Sequence, residues 1–214
     1  MIINRQKAVF AIATIFTCIF FMSASIWAMD KKPGVSIGDK APNFTLPNAK
    51  GENKTLYELL EKGPVILSFY RGGWCPYCND QLQAYQEALP EFKSRGAQLV
   101  AVSPETPKSA AETVMANELE FNVLSDTGNQ VARNYDLIWT IPSDNFAQFS
   151  DWLSKTTGKT LAEYNGLESN ELPVPATFVI GQDAQVVFMY KNENYKERAD
   201  RMDVIKALDK LASK

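Results

Sequence analysis

The chain contains no histidine. That absence excludes every Ser–His and Cys–His nucleophile pair and every metal centre with imidazole ligands. A general base here must be a carboxylate, a lysine or a thiolate. Cysteine is nearly as scarce, with three in 214 residues. A zinc site would need further cysteines or histidines that the chain lacks, so no metal and no cofactor is expected. There is also no run of basic residues. Setting aside Arg5 and Lys7 from the 22 Lys+Arg leaves 20, against 25 Asp+Glu, a net of −5. A mildly acidic surface argues against nucleic acid or anionic lipid as partners. The chain holds no internal repeat and no low-complexity segment.

What is present is ordinary globular composition, 45% hydrophobic and 22% charged. The length suits one domain with a core that needs no disulfide staples. The first residues carry Arg5 and Lys7 and no acid, and Ala8 to Ala28 is apolar apart from Thr14, Thr17, Ser23 and Ser25. This reads as a secretory signal peptide, with Ala24, Ser25 and Ala28 near its end. The other reading is an uncleaved membrane tether, because about 21 apolar residues span a bilayer. Either way residues 1–28 are a targeting segment, 29–214 form the domain, and the domain is exported to the periplasm or another extracytoplasmic space. Cys18 lies inside the apolar run and reads as filler, which leaves Cys75 and Cys78 as the cysteines of the exported part.

Along that part, Val35 to Leu46 is a lead-in and Asn48 to Asn53 a turn stretch around Gly51. A short helix is expected over 55–61. The continuous β-prone run Pro64–Tyr70 suits a strand buried on both faces. A helix follows Cys75-Pro76-Tyr77-Cys78 to about Lys93, with Pro90 expected to kink or interrupt it. Further strands are expected at 98–102 and 121–124, and helices at 107–119 and 128–135. Residues 138–172 fit the alternation poorly and read as an insertion, rich in aromatics, with one helix near 145–154. Residues 176–180 and 185–190 form a hairpin about a polar turn, and 202–211 a closing helix. The class is α/β: a central mixed sheet flanked by helices on both faces, with a C-terminal β-hairpin and closing helix.

Cys75 and Cys78 are spaced to lie at the start of a helix, the first facing solvent and the second one turn inside. Unpaired N–H groups and the helix dipole favour a thiolate there, and only the thiolate attacks. Pro76 sits in the first turn, where its missing N–H costs nothing. Arg71 adds positive field, and Trp74 shields the sulfur on one side. Cys75 is therefore expected to attack and Cys78 to resolve the mixed disulfide. A Cys75–Cys78 loop is too short to serve as a structural staple. Pro175, before the strand at 176–180, is either an ordinary strand-entry proline or a cis proline placing the Val174 backbone beside the dithiol; the dithiol upstream favours cis.

The segments VSIGDKAPNFTLPNAKG, PVILSFYRGGWCPYC and LPVPATFVI resemble the alkyl hydroperoxide reductase/thiol-specific antioxidant family. This is the peroxiredoxin branch of the thioredoxin superfamily, and the resemblance covers about residues 35–210. It implies a thioredoxin-like fold and reduction of peroxides through a Cys75–Cys78 dithiol/disulfide cycle reset by an external dithiol reductant. The family's peroxide motif, Pro-x-x-x-Thr/Ser-x-x-Cys, places its proline on Arg71, its threonine on Cys75 and its peroxidatic cysteine on Cys78. Only the cysteine matches. The family's arginine from the hairpin before the last helix has no counterpart in QVVFMY, and Arg71 or Arg198 is the candidate substitute. The alternative is a thioredoxin-like oxidoreductase acting on protein disulfides, and the two analogies assign the attacking sulfur oppositely. A copper carrier on this fold would want a histidine beside its cysteines.

Overall fold

The computed structural model describes residues 34–213. The expected targeting segment, 1–28, lies outside the described residues. Among the described residues no helix is long and apolar enough to cross a membrane. The end of the lead-in and the turn stretch after it form a small antiparallel hairpin, β1 (Thr45–Pro47) and β2 (Asn53–Thr55). The Asn48 side chain closes its turn by accepting from the Lys50 and Glu52 N–H groups, each at 2.9 Å. Helix α1 (Leu56–Leu60) follows and buries Leu56, Leu59 and Leu60.

The next elements alternate as the sequence predicts: β3 (Val65–Phe69), α2 (Pro76–Ser94), β4 (Gln98–Ser103), α3 (Pro107–Ala116), β5 (Asn122–Ser125) and α4 (Gln130–Asn134). The insertion carries β6 (Ile138–Thr140), α5 (Ser143–Thr157), α6 (Leu161–Asn165) and β7 (Glu171–Pro173). The chain ends with β8 (Ala176–Ile180), β9 (Val186–Lys191) and α7 (Arg201–Ala212). The main sheet runs β5-β4-β3-β8-β9. β3, β4 and β5 are parallel, while β8 is antiparallel to β3 and β9 to β8. Every β3 residue is buried. Val65, Leu67 and Phe69 face a core with Leu56, Val102, Tyr135 and Phe178. Ile66 faces the other core, where Tyr85 and Phe92 of α2 meet Val204 and Leu208 of α7. Alternate strand residues point to opposite faces, so a strand covered on each side is apolar nearly throughout; in β3 the exception is Ser68, whose hydroxyl meets that of Thr177 at 3.5 Å.

The insertion packs on the domain rather than hanging free, because Leu153, Leu161 and Leu172 join Trp74, Cys75 and Cys78 in a third core. Its neck is closed by β6 against β7, in the register Ile138↔Pro173 and Thr140↔Glu171. It holds two helices, not one. The second starts at a capping box: Thr160 Oγ1 accepts from the Glu163 N–H, and Glu163 accepts from the Thr160 N–H at 2.6 Å. That signature satisfies two orphan donors at once and suffices for a five-residue helix.

Pro90 does not interrupt its helix, and Pro175 is not cis. Helix α2 continues through Pro90. An interior proline costs about 3 kcal/mol, and the buried face of Leu82, Tyr85, Leu89 and Phe92 offsets it. The Val174–Pro175 bond is trans, as is every peptide bond among the described residues. The Val174 N–H donates to the Leu137 carbonyl at 2.6 Å, which carries the chain extended from β7 into β8, so Pro175 is a strand-entry proline.

Candidate active site

Between β3 and α2 the chain turns through Tyr70-Arg71-Gly72-Gly73-Trp74-Cys75. Gly72 has φ 146°, and a Cβ there would run into the Trp74 indole. A Cβ on Gly73 would collide with the Thr113 hydroxyl. The Gly73 N–H donates to Glu105 Oε1 at 3.0 Å, and its carbonyl accepts from Asn79 Nδ2 at 2.8 Å. The loop is thereby fastened to β4 on one side and α2 on the other. Cys75 is the N-cap of α2 and Pro76 its first residue. The Cys75 carbonyl accepts from the Cys78 and Asn79 N–H groups at 3.0 and 3.1 Å.

Both thiols are free. Cys75 does not face open solvent, as the sequence suggested; it is 2% exposed. It opens instead into a cavity of about 330 Å³ walled by Arg71, Trp74, Trp139, Phe149, Trp152 and Tyr195. The insertion and the segment after β9 supply most of that wall. Cys78 lies beneath, fully buried and outside the cavity lining.

The environment sorts the two sulfurs. The Cys78 thiol donating to Cys75 is the main influence lowering the Cys75 pKa to about 6, against the opposing effect of burial. The Cys78 backbone N–H and the charges of Arg71 and Arg198 also lower it. Burial first, and the neighbouring Cys75 second, push the Cys78 thiol up. The surroundings thus favour ionisation of Cys75 over Cys78. Alkylation of Cys75 by iodoacetamide should accordingly reach half its maximal rate near pH 6 and level off above it. Cys78→Ala removes the main stabilising contact, so it should move that midpoint up, towards an ordinary thiol; an unmoved midpoint would contradict the assignment.

Both arginines approach the pair. Arg198 Nη2 lies 3.5 Å from Cys78 Sγ, and Arg198 is itself held by the Tyr195 and Glu197 carbonyls. The Arg71 guanidinium lies 4.4 Å from the Tyr195 ring centroid, 5.2 Å from Trp74 and 5.6 Å from Trp139. Pro175 is set one layer back, lining a smaller cavity of about 120 Å³ with Arg71, Trp139 and Tyr195.

Sequence reasoning missed Glu105, which is fully buried just beyond β4. It accepts four hydrogen bonds: Tyr70 Oη at 2.8 Å, and the Ser103 hydroxyl, the Gly73 N–H and the Thr113 hydroxyl at 3.0 Å each. Burial and the Glu105 carboxylate push the Tyr70 phenol well up, so it remains a donor. The signal available was position, since an acid just past the carboxyl end of a parallel strand lies where α/β sheets place their sites. Trp139 and Tyr195 were missed as site residues because nothing local ties them to residue 75.

Solved structures share this architecture. The crystal structure of peroxidoxin BcpB from Mycobacterium tuberculosis superposes with a TM-score of 0.62 at 23% identity, covering 84% of this chain and 97% of that one. Peroxiredoxin Q from Xanthomonas campestris gives 0.59 at 21%, covering 79% and 91%. Among curated sequences, chloroplastic peroxiredoxin Q of Gentiana triflora is 28% identical over 164 residues, which span 77% of this chain and 63% of that relative's length. A thiol-disulfide oxidoreductase, ResA, of Bacillus thuringiensis subsp. konkukian is 25% identical over 171 residues, 79% of this chain and 78% of the relative. Residues 37–189, from the lead-in through most of β9, match the AhpC/TSA family model. That match takes in more than half of the chain, and with it the β3–α2 junction that carries the dithiol, so this chain belongs to the AhpC/TSA family.

Proposed function

We propose that this protein is a thiol-dependent oxidoreductase that reduces peroxides, with Cys75 as nucleophile and Cys78 as resolving thiol. One observation carries the reading: an N-cap thiol with its pKa lowered to about 6 opens into a cavity, over a second thiol held protonated. The Cys75 thiolate attacks the terminal oxygen of a hydroperoxide. The O–O bond breaks, Cys75 becomes a sulfenic acid, and the leaving alkoxide takes a proton to become an alcohol or water. A neutral sulfenic acid no longer opposes ionisation of Cys78. Cys78 then attacks the Cys75 sulfur, water leaves, and the Cys75–Cys78 disulfide forms. An external dithiol returns both sulfurs to the reduced state, so each cycle moves two electrons from dithiol to peroxide.

The working domain is 29–214, and the basic start and apolar run of 1–28 support export beyond the cytoplasm, with or without a retained tether. Arg71, Trp74 and Pro76 support the nucleophile, while Pro175 lines the neighbouring cavity. The test is hydroperoxide consumption by the full chain with dithiothreitol as reductant. Turnover with hydrogen peroxide or an organic hydroperoxide is expected, and none with either sinks the peroxidase reading.

A second reading, exchange with protein disulfides, is favoured by one observation: the thiol that nucleates α2 stands where the family's threonine belongs. Insulin reduction, together with a partner trapped on Cys75 in Cys78→Ser protein, would select it.

A further inference from the structure

We propose that the cavity above Cys75 binds small carboxylic acids with an apolar body, Arg71 taking the carboxylate, so that hydroperoxides of such acids are the preferred substrates. The second half rests on the peroxidase reading above; the first does not.

Arg71 is 6% exposed. A guanidinium carries five N–H donors, and among the described residues none of them donates to a protein acceptor. Its Nε is shut off from solvent with no partner. Burial pulls its pKa down, as expected for a cation with no carboxylate beside it. The rings of Trp74, Trp139 and Tyr195 hold it by their faces, which leaves its in-plane donors unused. Buried charges are ordinarily paired or hydrogen-bonded, and the planar fork matches a carboxylate in two parallel bonds.

The cavity explains what else such a ligand carries. Its lining contains no Asp, Glu or Lys, and Arg71 is its one cation. Trp139, Phe149 and Trp152 offer an apolar wall, Asn145 is a polar group at its edge, and Cys75 is the reactive atom. The Cys75 thiolate also faces Arg71 electrostatically, yet Cys75 takes its main support from Cys78. The guanidinium donors therefore stay free for a second anion. A ligand with a charged head, an apolar body and no second charge matches the lone cation and the apolar wall. A neutral ligand leaves the arginine unpaired.

The test compares phenylbutyrate with phenylbutanamide, which share shape and differ in charge, by calorimetry on the reduced full chain. A charge-assisted hydrogen bond lost from a buried site corresponds to about tenfold or more in affinity. The carboxylate is expected to bind at least about tenfold tighter than the amide. Arg71→Gln should erase that difference, and Arg71→Lys should retain part of it. Equal affinities, binding of neither probe, or a difference that persists in Arg71→Gln would overturn the assignment. Turnover of hydroperoxyoctanoic acid against its methyl ester separates the two halves. Equal KM values for acid and ester overturn the substrate preference and leave the peroxidase reading intact. Phenylbutyrate binding without turnover of either hydroperoxide or of hydrogen peroxide overturns the peroxidase reading and leaves the carboxylate site standing.

Discussion

Cys78→Ser protein should consume a single equivalent of hydroperoxide and then stop, whereas Cys75→Ser protein should consume none. The first variant keeps the nucleophile at the helix N-cap, with the Pro76 first turn and the approach of Arg71 unchanged. It also keeps an O–H donor under Cys75, so the thiolate persists. Lacking the resolving sulfur, it halts as the sulfenic acid, which a dimedone-type trap and mass spectrometry would read at residue 75. The second variant retains a sulfur that burial holds as a thiol and that does not line the cavity. A thiol is a poor nucleophile, so no burst is expected. The reverse pattern, a burst from Cys75→Ser and none from Cys78→Ser, would assign the attack to the sulfur that the family's motif spacing marks. The distinction matters because motif alignment and local environment point to different atoms in this chain.

The parts of this site that were legible in the sequence are those encoded within a few residues of one another. The run Val65–Phe69 reads as a doubly buried strand because it is near-continuously apolar, broken only by Ser68. The Cys75 N-cap and the Pro76 first turn follow from spacing and from proline's missing N–H. Ala176–Ile180 and its hairpin partner follow from β-branched runs around a polar turn. What was hidden depends on pairs far apart in the chain. β6 and β7 are three residues each and exist only because Ile138–Thr140 meets Glu171–Pro173; neither carries a period of its own. Arg71 meets Trp139 and Tyr195 only after the insertion and the segment beyond β9 fold back. The buried first thiol has the same origin, since the helix start alone implies an open site and the aromatic wall that closes it comes from elsewhere. Pro175 failed for a related reason: the β6–β7 neck fixes its approach as extended, and no residue beside it announces that neck.

The Glu105 cluster is the strongest case of a long-range device, and its removal should be costly. Glu105→Ala strands four donors that have no other acceptor among their observed bonds: Tyr70 Oη, Ser103 Oγ, Thr113 Oγ1 and the Gly73 N–H. A buried donor left without a partner costs about 1–3 kcal/mol. The hydroxyls can turn, while the Gly73 N–H is fixed by the backbone, so a loss of about 3 kcal/mol in unfolding free energy is expected. Glu105→Gln should cost roughly half as much. Its remaining carbonyl oxygen can serve one pair of donors, and two hydroxyls on the other side can rotate to accept from its amide. Tyr70→Phe removes one of the four bonds and leaves the carboxylate served by three, a cost of about 1 kcal/mol. Urea midpoints at constant slope read this order. A merely structural role would end there. Gly73 lies two residues before Cys75 and donates to Glu105 itself, so loosening that bond displaces the N-cap from the Cys78 thiol and the arginine charges that lower its pKa. The Cys75 alkylation midpoint should therefore rise above about 6 in Glu105→Gln protein that is still folded. A midpoint unchanged in a destabilised but folded variant would confine Glu105 to the core. A midpoint that rises in Glu105→Gln and stays put in Tyr70→Phe would trace the effect to the Gly73 bond, the one strand of the cluster that leads to the nucleophile.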